Sequence, residues 1–345
     1  MPTPLSKFGE FALIDRLTKD NKTANSSTIH AIGDDCAVIE RNDEEVTLIT
    51  TDLLLEGIHF DLTYAPLQHL GYKAVAVNLS DIYAMNGKPE QITVSLGISS
   101  KLSVEQIEDL YEGIYRACER YQVDLIGGDT SASVNGLMIS ITAIGVAQRE
   151  KVTYRSGAKI NDLVCVSGNL GAAYMGLLLL EREKKVFMDC QDAFFQPKFE
   201  GREYIIERQL KPEPRADVVE LLHNLQLTPT AMIDISDGLS SELLHIAKKS
   251  HVGISIYEDK LPIDYETHAQ AEEMNINPLT AALNGGEDYE LLFTLPLSAY
   301  NTISPIEGIQ IIGKVTDEDS GCRIITRGDE EISLVAQGWN ATDAL

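Results

Sequence analysis

A chain of 345 residues exceeds the size at which a single core usually stops growing, so two domains are expected; 44% apolar and 23% charged residues exclude extensive disorder. Against 28 Lys and Arg stand 53 Asp and Glu, and the net charge of −25 excludes a nucleic-acid backbone or an anionic membrane surface as partner. Such acidity reads either as a solvated surface or as carboxylates that need divalent cations before an anionic ligand can approach.

The N-terminus, MPTPLSKFGEFALI, has no apolar stretch long enough for a signal peptide. Residues 46–51 are a β-rich run, and residues 66–85 read as a helix with Pro66 in its first turn and Leu70, Ala74, Val77 and Ile82 near one face. Residues 92–98 alternate as a strand. Ser103-Val104-Glu105-Gln106 is a capping box that opens a helix to residue 121, and residues 137–146 alternate again. Residues 149–159 are polar and mark the domain boundary, giving domains 1–150 and 151–345. A strand at 163–167 follows, then Gly168, Gly171 and a helix from Ala172. The aliphatic run at 177–180 is cut by Glu181-Arg182-Glu183, so no membrane span is expected. Further helices are expected at 216–224 and 240–249, and strands at 290–295 and 310–315. The elements alternate without a regular βαβ rhythm, which favours α+β over a doubly wound sheet. Cys36, Cys118, Cys165, Cys190 and Cys322 form no CxxC pair, and suit reduced thiols in a cytoplasmic protein.

Six segments place carboxylates beside Gly, Ser or Thr: Gly33-Asp34-Asp35, Thr50-Thr51-Asp52, Asn78-Leu79-Ser80-Asp81, Gly127-Gly128-Asp129, Asp234-Ile235-Ser236-Asp237 and Gly285-Gly286-Glu287-Asp288. Singly, each is also ordinary turn or cap chemistry. Asp81, however, falls inside an apolar helix pattern, and Asp52 ends a β-rich run from which it can project into a cleft. Hard cations take oxygen ligands and share them with nucleotide phosphates, so the set favours a polynuclear Mg²⁺ site. Other phosphate-handling motifs are absent: no P-loop, no protein-kinase set and no GxGxxG after a strand. Arg155 is the candidate for direct phosphate contact, with a surface arginine at the domain boundary as the alternative.

The ordered motifs FGEFALI, IGDDCAV, TTDLLLEGIHF, YKAVAVNLSDIYAMNG, LIGGDT, RSGAK, IDISDGL and GGEDYELLF resemble the thiamine-monophosphate kinase family, within the aminoimidazole-ribonucleotide synthetase superfamily. The resemblance runs from Phe8 to about Phe293 and weakens towards Trp339. It implies an enzyme that converts ATP and thiamine monophosphate into ADP and thiamine diphosphate. It also implies a homodimer whose N-terminal mixed-sheet domains pair, with C-terminal α/β domains outside. Carried over by motif, Asp34, Thr50, Thr51, Asp52, Asp81, Asp129, Asp234 and Asp237 hold several Mg²⁺ ions. Tyr111, Gly128, Asp129, Arg155 and Ser236 contact ATP, and His59, Glu287 and Trp339 meet the thiamine moiety. An aromatic face suits the cationic thiazolium, and a carboxylate suits the aminopyrimidine or the positive ring.

The acceptor oxygen of thiamine monophosphate is already anionic, so direct in-line transfer needs no covalent nucleophile, and no residue stands out as one. Two alternatives remain at this level. One is another ATP-dependent synthetase of the superfamily; the other is a non-catalytic acidic protein that binds cations or nucleotides.

Overall fold

The computed structural model describes residues 10–189 and 196–336. A helix, α1 (Glu10–Thr18), precedes a six-stranded sheet of β1 (Thr28–His30), β2 (Ala37–Glu40), β3 (Glu45–Leu55), β4 (Lys88–Ser99), β5 (Asp124–Ser133) and β6 (Met138–Gln148). Its order is β1-β2-β3-β6-β4-β5, antiparallel except for the β4–β5 pair. A parallel pair needs a crossover, and the capping-box helix α3 (Val104–Tyr121) supplies it after α2 (Leu67–Ala84). The box is complete: Gln106 N donates to Ser103 Oγ at 3.3 Å and Ser103 N to Gln106 Oε1 at 2.9 Å.

Two differences from the sequence reading affect the site. The strand expected at 46–51 continues to Leu55, so Asp52 sits within β3, paired with Ile141, and does not end the strand. The Gly127-Gly128-Asp129 segment lies inside β5, where glycines mask strand character. Gly128 is required there, because a Cβ would sit 1.8 Å from the Val94 carbonyl oxygen.

The second sheet contains β7 (Leu163–Ser167), β8 (Ala231–Asp234), β9 (Gly253–Tyr257), β10 (Leu291–Leu295), β11 (Ile309–Thr316), β12 (Cys322–Ile325) and β13 (Glu331–Ser333). The order is β13-β12-β9-β11-β7-β10-β8, with only β12–β9 parallel. Around it lie α4 (Ala172–Asp189), α5 (Glu203–Leu210), α6 (Ala216–Asn224), α7 (Leu239–Ser250), α8 (Tyr265–Glu273), α9 (Pro278–Asn284) and α10 (Tyr300–Ile303). The expected α+β architecture is therefore present, as two mixed sheets with helices.

Strand alternation divides the core. Leu163 and Cys165 of β7 join a cluster that also holds Leu79 and Ile82 of α2, whereas Val164 and Val166 face Leu243 and Ile246 of α7. The helix α2 is buried on nearly every side, since it packs on β3, β4 and β6 and also touches α3 and β8. Glycines allow the α2–α3 approach: a Cβ on Gly71 would lie 2.0 Å from Leu110 O, and one on Gly113 would lie 1.9 Å from Gln68 O.

Cys36, Cys118 and Cys165 are buried free thiols and Cys322 is half-buried, while Cys190 lies outside the described residues. Among the described residues no helix is long and apolar enough to cross a membrane.

Gly113→Ala cannot be relieved by a side-chain rotation, because the obstruction is backbone. Urea denaturation is expected to show a loss of about 3 kcal/mol; a wild-type midpoint would contradict the close helix crossing.

Candidate active site and metal centre

The end of α2 carries three consecutive polar contacts across the gap between the sheets. Asn78 Oδ1 accepts from Asp52 N on β3 at 3.0 Å, and Ser80 Oγ donates to Asp234 Oδ2 at the end of β8 at 2.6 Å. Asp81 Oδ2 accepts from Thr50 Oγ1 at 2.5 Å. Asp81 and Asp234 thereby converge with Asp35, from the loop between β1 and β2. One carboxylate oxygen from each lies within 4.8 Å of the others.

Little positive charge offsets this cluster. Arg155 Nη2 donates to Asp35 Oδ1 at 2.6 Å, and Arg155 N donates to Asp34 Oδ1 at 3.1 Å. The other oxygen of Asp35, Oδ2, is buried without a hydrogen-bond partner. Burial, reinforced by the charge of Asp35, pushes Asp52 up to about 6 and Asp234 up to about 7. Asp34 rises to about 7, through burial first and then Asp35, against the contacts from Arg155. Asp81 is pushed well above the carboxylate range by burial and then by Asp52, Asp234 and Asp35. Three converging carboxylates, one of which carries a buried oxygen without a partner, fit a hard divalent cation.

Asp35 was missed by the sequence reading, which took Asp34 from the doubled pair. Glu242 of α7 was also missed: it is buried, accepts from Asp237 N at 3.0 Å, and is raised by burial and then by the charge of Asp237. Ser236 O accepts from Glu287 N at 2.7 Å, which places the two loops side by side.

Not every expected residue joins the cluster. Thr50 and Asp52 face α2, whereas Thr51 lies on the opposite face, with its hydroxyl bonded to Ile141 O at 3.1 Å. Asp129 is exposed on that same far face, in register with Ser95, Ser140 and Leu53. Two strands, β6 and β4, lie between it and β3, three strand spacings or roughly 14 Å. Tyr111 of α3 lines a cavity of ≈ 590 Å³ with Ile98, Leu102, Ile107 and Tyr115.

His59 follows β3 in a turn where its Nδ1 accepts from Leu55 N at 3.0 Å. On the same loop, Tyr64 donates to Glu181 of α4 at 2.7 Å. Its phenol is raised by burial, by Glu181 and Asp61, and by the charge of Glu287. Glu287 has φ +57°, and both carboxylate oxygens are held: Oε1 lies 3.1 Å from Lys73 Nζ, and Oε2 accepts from Gln209 Nε2 at 2.7 Å. Trp339 lies outside the described residues.

Residues 33–147 match the family described as AIR synthase related protein, N-terminal domain, which gives the class of this fold. The thiamine-monophosphate kinase of Aquifex aeolicus is 38% identical over 91% of this chain and 93% of its own length. That of Bacillus subtilis is 38% identical over 96% and 98%. The solved structure of AaThiL complexed with AMPPCP and TMP superposes with a TM-score of 0.82 at 35% identity, covering 99% of each chain. The chain belongs to the thiamine-monophosphate kinase family.

The raised carboxyls fix the sign of a pH effect. A carboxyl whose folded pKa is raised stabilises the fold fully below its unfolded value of about 4, and that contribution is lost as pH rises through the folded value. In divalent-free buffer the melting temperature should therefore decline as pH rises through about 6 and about 7, the values for Asp52 and Asp234. Asp234→Asn should flatten the decline, and an unchanged slope in that variant would remove Asp234 from the effect.

Proposed function

We propose that this chain transfers the γ-phosphoryl group of ATP to the phosphate of thiamine monophosphate, giving ADP and thiamine diphosphate. The observation that carries the reading is the convergence of Asp35, Asp81 and Asp234 in a full-length relative of thiamine-monophosphate kinases. Asp34, Asp35, Thr50, Asp52, Asp81, Asp234 and Asp237 would hold Mg²⁺ ions, whereas Asp129 and the Thr51 side chain, on the far face of the first sheet, stand apart from this cluster. Bound there, Mg²⁺ supplies the charge neutralisation that two polyanions need to approach each other in a chain of charge −25.

The protein's own residues do the rest. Arg155, held at the cluster by Asp35, would contact a phosphate. Gly128 brings a bare backbone, and Ser236 a hydroxyl, to the nucleotide, and the cavity beside Tyr111 takes its base. His59, Glu287 and Trp339 receive the thiamine moiety, with Glu287 as the anionic partner of its cationic ring. The acceptor phosphate oxygen attacks in line without a covalent phospho-enzyme.

Residues 1–150 would form an ATP- and Mg²⁺-binding domain that dimerises, and residues 151–345 a domain that completes the nucleotide and substrate sites and adds Asp234 and Asp237 to the metal site. A homodimer through the far face of the first sheet accounts for the exposure of Leu53 and Ile126 there and of β5 along most of its length. The buried free thiols agree with a cytoplasmic enzyme.

ADP release should depend on both thiamine monophosphate and Mg²⁺. Asp81→Asn and Asp52→Asn should lower kcat at least about 100-fold with circular dichroism unchanged. ATP turnover indifferent to thiamine monophosphate would rule the reaction out. For the dimer, Leu53→Asp should halve the mass measured by light scattering, and an unchanged mass would exclude this face.

A further inference from the structure

We infer that Lys73 is a positioning residue of the thiamine site, acting through Glu287. The inference rests on the reading of Glu287 as the group that meets the cationic ring. Lys73 lies on α2 with only 4% of its surface exposed. Lysines are almost never buried unless paired, and an apolar side chain would fill such a helix interior at lower desolvation cost. Its ammonium has two partners from other elements: it donates to Gln209 O at 3.0 Å and lies 3.1 Å from Glu287 Oε1.

Gln209 of α5 is equally buried and completes a triangle, with Nε2 donating to Glu287 Oε2 at 2.7 Å. Its Oε1 is buried without a partner, so the amide keeps this orientation for Glu287 at the cost of an unmet acceptor. The Glu287 backbone is fixed as well, in the left-handed region and bonded to Ser236 O. Yet 27% of its side chain remains open. A carboxylate gripped at both oxygens and left partly uncovered has one direction in which to meet a cation.

The helix also sets a spacing. Lys73 and Asp81 are eight residues apart on α2, roughly 12 Å of axial rise. One rigid helix therefore separates the ring-binding carboxylate from the carboxylates assigned to the phosphate end. Thiamine monophosphate is elongated, with a cationic ring system at one end and phosphate at the other.

The test is steady-state kinetics of the full-length enzyme with saturating Mg²⁺, comparing Lys73→Met, Lys73→Arg, Gln209→Leu, Glu287→Gln and the Lys73→Met/Glu287→Gln pair. Lys73→Met should raise KM for thiamine monophosphate about tenfold, leave KM for ATP within about twofold, and be partly rescued by Lys73→Arg. In the Glu287→Gln background the Lys73 effect should vanish, because the two act as one unit. Equal changes in both KM values, or full additivity with Glu287→Gln, would make Lys73 merely structural and overturn the inference. A Glu287→Gln effect with an inert Lys73→Met would also overturn it, leaving the reading of Glu287 intact. An inert Glu287→Gln would sink that reading and the inference together. Should Lys73→Met fail to fold, Gln209→Leu decides by the same criteria, with an expected rise of about threefold.

Discussion

The site depends on one four-residue stretch, Asn78-Leu79-Ser80-Asp81, at the C-terminal end of a helix that is buried on nearly every side. Successive helical side chains point about 100° apart, so adjacent polar residues reach different neighbours. Asn78 takes β3 by its backbone, Ser80 takes Asp234 of the second sheet, and Asp81 takes Thr50. Leu79, between them, is fully buried in the core shared by both sheets. These contacts make the acidic cluster a property of the junction between the two sheets, present in neither sheet alone.

That junction works against the fold's own electrostatics. Asp35, Asp52, Asp81 and Asp234 are desolvated together; the charge of Asp35 adds to the rise of Asp52 and Asp234, and all three add to that of Asp81. Arg155 offsets part of this, but it binds Asp35 through a single oxygen and leaves the second without a partner. A pair of this kind is a poor source of stability. Departures from good polar satisfaction concentrate at functional sites, where a ligand meets what the fold leaves unmet.

Much of the frame was legible in the sequence, for identifiable reasons. The capping box before α3, the uniformly apolar β7 and the polar break after β6 are local signals, and local signals determine them. The choice between Asp34 and Asp35 is not local. Both sit in one loop, and their roles are set by Arg155, which is 120 residues away and bonds one with its guanidinium and the other with its main chain. Glu242 and Lys73 look like solvated helix charges until the neighbouring elements cover them. The segment around Asp129 hid its strand because Gly127 and Gly128, the second needed for close approach to Val94, lower strand propensity. The separation of Thr51 from Thr50 and Asp52 was accessible in principle, since strand alternation dictates it once the strand is known to extend to Leu55.

The same alternation explains how one strand can serve two surfaces. Thr50, Asp52 and Leu54 of β3 face α2 and the acidic cluster, while Thr51 and Leu53 face away, on the side where Asp129 stands. A shift of one residue in the β3–β6 register would exchange these sets, turning Asp52 outward and Thr51 towards Asp81. The eleven-residue pairing from Glu45 opposite Gln148 to Leu55 opposite Met138 opposes such a slip, because it would also expel Leu48 and Leu54 from the core. The placement of the carboxylates is therefore secured by the hydrophobic pattern around them. Apolar burial supplies the free energy that holds like charges together.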